Sequence, residues 1–373
     1  MKFTCTKENI NKVLNLTCPL ASRQGHLPIL MNIMINAVDT GVEIIATNLE
    51  IAVKTNLRAK VDEKGTFTVP AKTLLDYINL LPDSQIDFLL ENNELVVKCV
   101  GSSTKIKGSP SEEFPVVPEI DEKNVYTISV NKFKDGLSKT IIAVAKNEIR
   151  PELSGIYMNF FGSRYKGLVL ASTDSYRLAE AKVDIEQGET EIQAIVPART
   201  VYEIIRLLGL SKEMESETNV RVWVSENQIA IRYNGFEMTS RLVEGNYPDY
   251  TQIIPENFKT IAIFPTDVMI KKIKAASLFT SVGVNAVSFD LSVESKTMAV
   301  SSTNAQTGEH NSEVDADITG EENSILLNHR YVLDGLQQIG ENVEFGVNSS
   351  DSPCVFKEKG KSDYLYIVMP IRQ

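Results

Sequence analysis

The sequence predicts an α+β protein made of three copies of one domain, each a mainly antiparallel sheet structure covered by two helices. Three observations lead there. The phrase VPAKTLLDYINLLP at 69–82 recurs as VPARTVYEIIRLLG at 196–209, 127 positions later. A weaker third copy, LNHRYVLDGLQQIG, occupies 327–340, with Asn328 at the proline position and Arg330 at that of the base. Between these phrases, apolar residues alternate with period two, as in half-buried strands, and helical periodicity surfaces only twice per copy. A period of a whole domain separates this chain from solenoids, whose repeats run about 20–50 residues.

The elements follow in the same order in each copy. A helical stretch comes first: KENINKVLNL, NKFKDGLSKTIIAVAK and TDVMIKKIKAASL. Next, SRQGHLPILMNIMIN (22–36) matches NEIRPELSGIYMNFF (147–161), aligning Leu30 with Leu153 and Ile33 with Ile156. An alternating strand then ends in Thr followed by Asn or Asp, as VEIIATN, LVLASTD and MAVSSTN. The repeated phrase is a strand end, a helix start and an amphipathic helix. Pro70 and Pro197 sit just ahead of that helix, where a missing N–H costs nothing. A closing strand recurs as NELVVKC (93–99) and NQIAIRY (227–233), and SEEFPVVPEI (111–120) echoes EGNYPDYTQIIP (244–255). Pro- and charge-rich joints place the domains at 1–121, 122–257 and 258–373.

Composition narrows the function. A chain of 373 residues exceeds one ordinary core, and 43% hydrophobic with 23% charged residues describes a soluble globular protein. No apolar run approaches the roughly 18 residues of a membrane span, and MKFTCTKENI has no apolar segment of a secretory signal. Cys5, Cys18, Cys99 and Cys354 stand far apart with no CxxC pair, which suits free thiols in a reducing cytoplasm. The three histidines, His26, His310 and His329, have no metal-type spacing, so neither metal nor cofactor is expected. GSRYKGL (162–168) begins like a phosphate-binding loop, but Leu168 stands where lysine is required. Asp174 could pass for a catalytic carboxylate, yet Asn48 and Asn304 hold the same repeat position, which fits turn formation. The residues point to a binding protein and not to an enzyme.

The net charge of −11 is unevenly distributed. The helical windows 7–20, 72–81, 131–146, 199–208, 266–278 and 329–338 hold thirteen bases against six acids, so they carry +7 and the rest −18. Two readings stand: solvated helix faces, or helices turned toward phosphates with an acidic exterior. Geometry favours the second. Six helices packed about 8–10 Å apart around a hole leave roughly 9 Å clear, less than a duplex about 20 Å wide; twelve leave about 28 Å. Three domains cannot encircle DNA in this way, and six can.

The triple repeat, RPELSG with STDSYRLA, LVEGNYPDY followed by IIP, and the terminal YLYIVMPIRQ resemble the bacterial DNA polymerase III β subunit family, the sliding clamps, over the whole chain. The resemblance implies the DNA clamp fold and a head-to-tail homodimer forming a six-domain ring around duplex DNA. It implies a cytoplasmic, nucleoid-associated processivity factor with no catalytic residues. It further implies a hydrophobic pocket for short linear motifs of the DNA polymerase III α subunit, clamp loader subunits, other polymerases and repair proteins. The matching positions are Leu153, Thr173, Tyr176, Arg177, Leu178, Pro248, Ile253, Tyr331, Ile367, Met369, Pro370, Ile371 and Arg372. Ser175 and Tyr176 stand where some members carry Gly and His, and Gln252 where some carry a base. For DNA the match points to Arg23, Lys146, Arg150 and Arg199, with Lys12, Lys72, Lys139, Lys271, Lys272 and Lys274 behind them. A peptide-binding scaffold that does not encircle DNA is the alternative. In the tail, Ile367, Met369 and Ile371 alternate with Tyr366, Val368 and Pro370, which predicts one set toward the pocket and the other toward the core.

Overall fold

The computed structural model describes residues 1–21, 27–117, 119–120, 122–146, 149–210, 218–281 and 283–372. Its strands lie in four antiparallel sheets, divided between two compact units. The first unit comprises Met1–Val130, Ile185–Glu189 and Glu203–Leu242; the second comprises Asn131–Asp184, Thr190–Tyr202 and Val243–Gln373.

In the first unit, one sheet runs in the order β5 (Lys60–Glu63), β1 (Lys2–Thr6), β7 (Gln85–Glu91), β8 (Glu94–Cys99) and β9 (Ser102–Lys107). The other runs β10 (Val125–Ser129), β15 (Asn219–Val224), β16 (Gln228–Tyr233), β17 (Phe236–Arg241), β4 (Ile51–Leu57), β3 (Gly41–Thr47), β2 (Asn32–Val38) and β6 (Gly65–Pro70). In the second unit, nine strands follow the order β14 (Ile192–Pro197), β11 (Gly155–Phe160), β12 (Leu168–Thr173), β13 (Arg177–Val183), β26 (Tyr364–Val368), β25 (Cys354–Glu358), β24 (Asn342–Val347), β18 (Thr260–Pro265) and β22 (Asp317–Gly320). Its smaller sheet is β21 (Gly308–Asp315), β20 (Thr297–Asn304), β19 (Ala286–Ser292) and β23 (Asn323–Asn328).

The threefold repetition read in the sequence is written into this topology. Each repeat supplies two runs of four strands. The first run is β1-β7-β8-β9, then β10-β15-β16-β17, then β18-β24-β25-β26; the second is β6-β2-β3-β4, then β14-β11-β12-β13, then β23-β19-β20-β21. Successive repeats join where the last strands of two runs pair. β17 meets β4 from Phe236 opposite Thr55 to Ser240 opposite Ile51. β13 meets β26 from Arg177 opposite Val368 to Ala181 opposite Tyr364. By the same pattern β9 and β21 end their sheets with one edge unpaired.

The helices are α1 (Lys7–Thr17), α2 (Ala71–Leu80), α3 (Val130–Thr140), α4 (Ala198–Leu210), α5 (Thr266–Ser277) and α6 (His329–Leu336). Pro70 and Pro197 are the last strand residues before α2 and α4, as expected. Thr6 caps α1 by accepting from the Asn9 N–H at 3.2 Å. Two helices stop three or more residues short of their sequence windows. α1 gives way to a 3-10 turn at Cys18–Leu20, because Pro19 has no N–H to continue the ladder. α3 does the same at Ile141–Ala143, where β-branched residues follow Thr140, whose hydroxyl donates back to the Gly136 carbonyl at 2.8 Å. Ile10 and Leu14 of α1 and Leu74 and Ile78 of α2 are buried, as are Phe3 and Phe88, stacked at 4.6 Å in the first unit's core. In the second unit, Met269, Ile273, Val332 and Leu336 are buried, and Phe345 stacks on Phe356 at 4.5 Å.

Candidate functional site

Between β12 and β13 the chain reverses in a turn fixed by its own side chains. The Thr173 hydroxyl donates to the Arg177 carbonyl at 2.7 Å and accepts from the Ser175 N–H at 3.1 Å. One Asp174 oxygen accepts from the N–H groups of Tyr176 and Arg177, both at 3.0 Å. Asp174 is thus a turn former, as its repeat position suggested. Ser175 adopts φ +75°, the left-handed region that suits glycine best. Tyr176 projects from the tip, 63% exposed.

Arg177 is turned inward. Its Nε donates to Asp174 at 3.0 Å and its Nη1 to Asp334 at 2.6 Å, and its guanidinium lies 4.6 Å from the centre of the Tyr331 ring. Burial opposes its charge, but these carboxylates and the Tyr366 hydroxyl outweigh that and hold the guanidinium above its ordinary pKa. Arg177 sits 5% exposed and braces Tyr331 beneath the turn. Asp334 was missed in the sequence. Its signal was there, because the eighth position of the repeated phrase is acidic in all three copies: Asp76, Glu203 and Asp334.

The tail is tied to this turn. The Met369 N–H donates to the Tyr176 carbonyl and the Ile371 N–H to the Leu326 carbonyl, both at 2.8 Å. The strand itself ends at Val368, so the alternation expected through Ile371 stops three residues earlier. Tyr366, Ile367 and Val368 are all fully buried. Ile367 packs with Leu178, Ala171, Val355 and Tyr250, against which Tyr157, Tyr247 and Ile254 lie. That cluster draws the 247–254 segment onto the sheet. It was not legible as a tyrosine cluster, since Tyr157, Tyr247 and Tyr250 lie in two distant segments. Tyr250 is held further by its hydroxyl, which donates to Glu180 at 2.7 Å.

The thirteen candidate positions fall into two layers. Leu153, Thr173, Arg177, Leu178 and Ile367 are buried. Tyr176, Ile253 and Arg372 are exposed, and Pro248, Tyr331, Met369, Pro370 and Ile371 are half-buried. The register that sets Tyr157 opposite Ala171 carries Leu153 to the sheet end that bears the Asp174 turn. A rim of Tyr, Ile and Met over a rigid floor offers adaptable apolar contact to an extended chain.

Of the candidate phosphate contacts, Arg23 lies outside the described residues. Lys146, Arg150 and Arg199 are exposed, and Arg150 is paired with Glu152 at 2.9 Å. Four of the six candidate helix lysines have an acid one turn away: Lys12 with Glu8 at 2.7 Å, Lys72 with Asp76 at 2.5 Å, Lys139 with Asp135 at 2.7 Å, Lys271 with Asp267 at 3.5 Å. Such pairs one turn apart on a helix are worth about 0.3–0.5 kcal/mol, little enough to yield to a phosphate. Among the described residues there is no grouping of three or more potential metal ligands, and no helix is long and apolar enough to cross a membrane.

Comparison with known proteins covers the same ground from end to end. Residues 1–118, 127–249 and 251–372 match, in order, the N-terminal, central and C-terminal domains of the DNA polymerase III beta subunit. The beta sliding clamp of Synechococcus elongatus is 26% identical over 100% of this chain and 99% of its own, and that of Staphylococcus aureus is 28% identical over the same shares. The DNA polymerase III subunit beta of Pseudomonas aeruginosa superposes with a TM-score of 0.92 at 27% identity, over all of both chains. The sliding clamp of Bacillus subtilis gives 0.93 at 24% identity, over 100% of this chain and 99% of that one. Three sheet-and-helix repeats, each matching its own domain of one subunit, make this chain a member of the DNA polymerase III beta subunit family: a sliding clamp, the processivity factor of DNA replication.

Proposed function

We propose that two copies of this chain close head to tail into a six-domain ring around duplex DNA. The repeats are bounded near residues 121 and 257; residue 121 itself lies outside the described residues. The observation that carries this reading is the pair of unfinished edges. β4 joins β17 and β13 joins β26, and the one join that the pattern leaves unmade is β21 to β9. The single chain leaves that join open, whereas two chains arranged head to tail can make it twice. Unpaired edges invite association, and these two are complementary in charge: β9 carries Lys105 and Lys107, and β21 carries Glu309, Glu313 and Asp315.

Within the ring, Arg23, Lys146, Arg150 and Arg199 meet phosphates without reading bases, since a clamp that read sequence could not slide. The groove at the Asp174 turn holds short apolar motifs of the polymerase α subunit, clamp loader subunits and repair proteins. The protein works in the cytoplasm on the nucleoid, holds no cofactor and catalyses nothing itself.

The test is topological. Protein loaded on a nicked circle should remain bound until the circle is cut, then slide off the ends. Equal retention on linear and circular DNA would overturn the ring and leave a peptide-binding scaffold. Replacing Arg23, Lys146 and Arg150 together by alanine should weaken loading and leave the dimer intact.

A further inference from the structure

We infer that the first repeat carries a second peptide-binding site, at the turn between β3 and β4, built on the same backbone as the groove at Asp174. The inference rests on reading that groove as a peptide site. The two turns correspond bond by bond. The Thr47 hydroxyl donates to the Ile51 carbonyl at 2.9 Å and accepts from the Leu49 N–H at 3.1 Å, as Thr173 does with Arg177 and Ser175. Asn48 Oδ1 accepts from the N–H groups of Glu50 at 3.0 Å and Ile51 at 2.8 Å, as Asp174 does from Tyr176 and Arg177. The Arg241 N–H donates to the Glu50 carbonyl at 3.1 Å, the counterpart of Met369 on Tyr176. The Leu30 N–H donates to the Leu27 carbonyl at 3.1 Å, the counterpart of Leu153 on Arg150 at 3.0 Å.

What differs is the surface. Leu49 takes φ +77°, where Ser175 has +75°. A leucine there is strained, and it is also 47% exposed, so neither backbone comfort nor burial accounts for it. The registers, Met34 opposite Ile45 and Ser240 opposite Ile51, carry exposed Met31 and half-buried Leu242 to the same sheet end. The second difference is polar. Asp174 directs its other oxygen to Arg177, but Ile51 offers Asn48 nothing, and Asn48 Nδ2 is buried without a hydrogen-bond partner. In the third repeat the equivalent Asn304 Nδ2 finds the Thr280 carbonyl at 3.0 Å, so the orphan donor belongs to the first repeat's turn. Arg241 is exposed at the same edge and forms no ion pair among the described residues, Glu50 included. An exposed apolar rim beside an uncompensated cation fits an extended peptide that carries a large apolar side chain next to a carboxylate.

The experiment uses the full chain and a fluorescein-labelled peptide, Gly-Ala-Leu-Phe-Asp with a free carboxylate, titrated by calorimetry and anisotropy. Two sites per chain are expected. Met369→Glu should remove one of them. Leu49→Gly should weaken the other at least about tenfold while keeping or raising Tm, because glycine relieves the positive φ. Asn48→Asp, which keeps the turn as Asp174 does, should weaken the same site by charge repulsion. One site lost only in Met369→Glu, or two sites indifferent to Leu49→Gly, would overturn the inference and leave the groove standing. One site lost only in Leu49→Gly would support the second site and overturn the groove. No binding at all would overturn both.

Discussion

Arg177 and the cysteines show what a residue's neighbours decide and its identity does not. The sequence names an arginine in TDSYRL, but only the fold reveals that Asp174 and Asp334 hold it beneath Tyr331. The rim positions, at 176, 248–253, 331 and 369–372, lie in four separate segments and are grouped only by the family resemblance. Burial pushes the thiols of Cys5 and Cys18 up to about 12 and raises that of Cys354 as well, while Cys99 is half-buried beside Ser84. A disulfide-exchange reagent at pH 8 should therefore titrate one thiol quickly in the native chain and four after unfolding; a second fast thiol would contradict the assignment. His329 is buried, and that burial, with Arg330 beside it, lowers its pKa. The unfolded chain then binds its proton more readily than the folded one, so stability falls as pH drops below the ordinary histidine value of about 6.5. Between pH 7.5 and 5.5, Tm should decline less in His329→Asn than in the parent chain. Equal slopes would remove His329 from the account.

Elements were read well at their starts and poorly at their ends. A proline before α2 and α4 is a local signal, visible in a string of letters. The end of α3 depends on a hydroxyl folding back on the ladder and on crowding by the residues after it, which compete with propensity in three dimensions. The tail departs from its expected alternation for a reason of the same kind. Alternation predicts two faces, but a strand added to the middle of a nine-stranded sheet has both faces covered, so Ile367 and Tyr366 are equally buried. One residue shows how closely α6 seats on that strand. A Cβ on Gly335 would fall 2.2 Å from the Tyr366 ring, whose hydroxyl is anchored to the Tyr331 carbonyl at 2.9 Å. Gly335→Ala should therefore destabilise the chain by about 1–3 kcal/mol through overpacking, despite alanine's better helix propensity. Chemical denaturation would measure it, and a stabilised variant would mean that the ring swings clear at no cost.

At the scale of the whole molecule, the repeat was legible because copied sequence leaves copied landmarks, whereas the pairing of β17 with β4 was not. Alternation says that a residue lies in a strand; it does not say which edge that strand meets. The charges on β9 and β21 make the remaining join testable. Reversing Lys105 and Lys107 to glutamate should shift the sedimentation of the chain toward monomer, most strongly at low salt. Adding Glu309→Lys and Glu313→Lys should restore the dimer. A dimer indifferent to both changes would place the contact elsewhere.

The two paired seams have one more consequence. Each compact unit contains a complete outer repeat and part of the central one. The segment that was copied and the body that coheres are thus out of step. A gene divided at residues 121 and 257 would yield three pieces of equal ancestry and unequal fate. The middle piece would lose the partners of both β17 and β13 at once. The central copy alone is paired to a neighbouring copy on both sides. Its inheritance is bound on either side to its neighbours', and changes at its seams must be answered across the pairing by another copy.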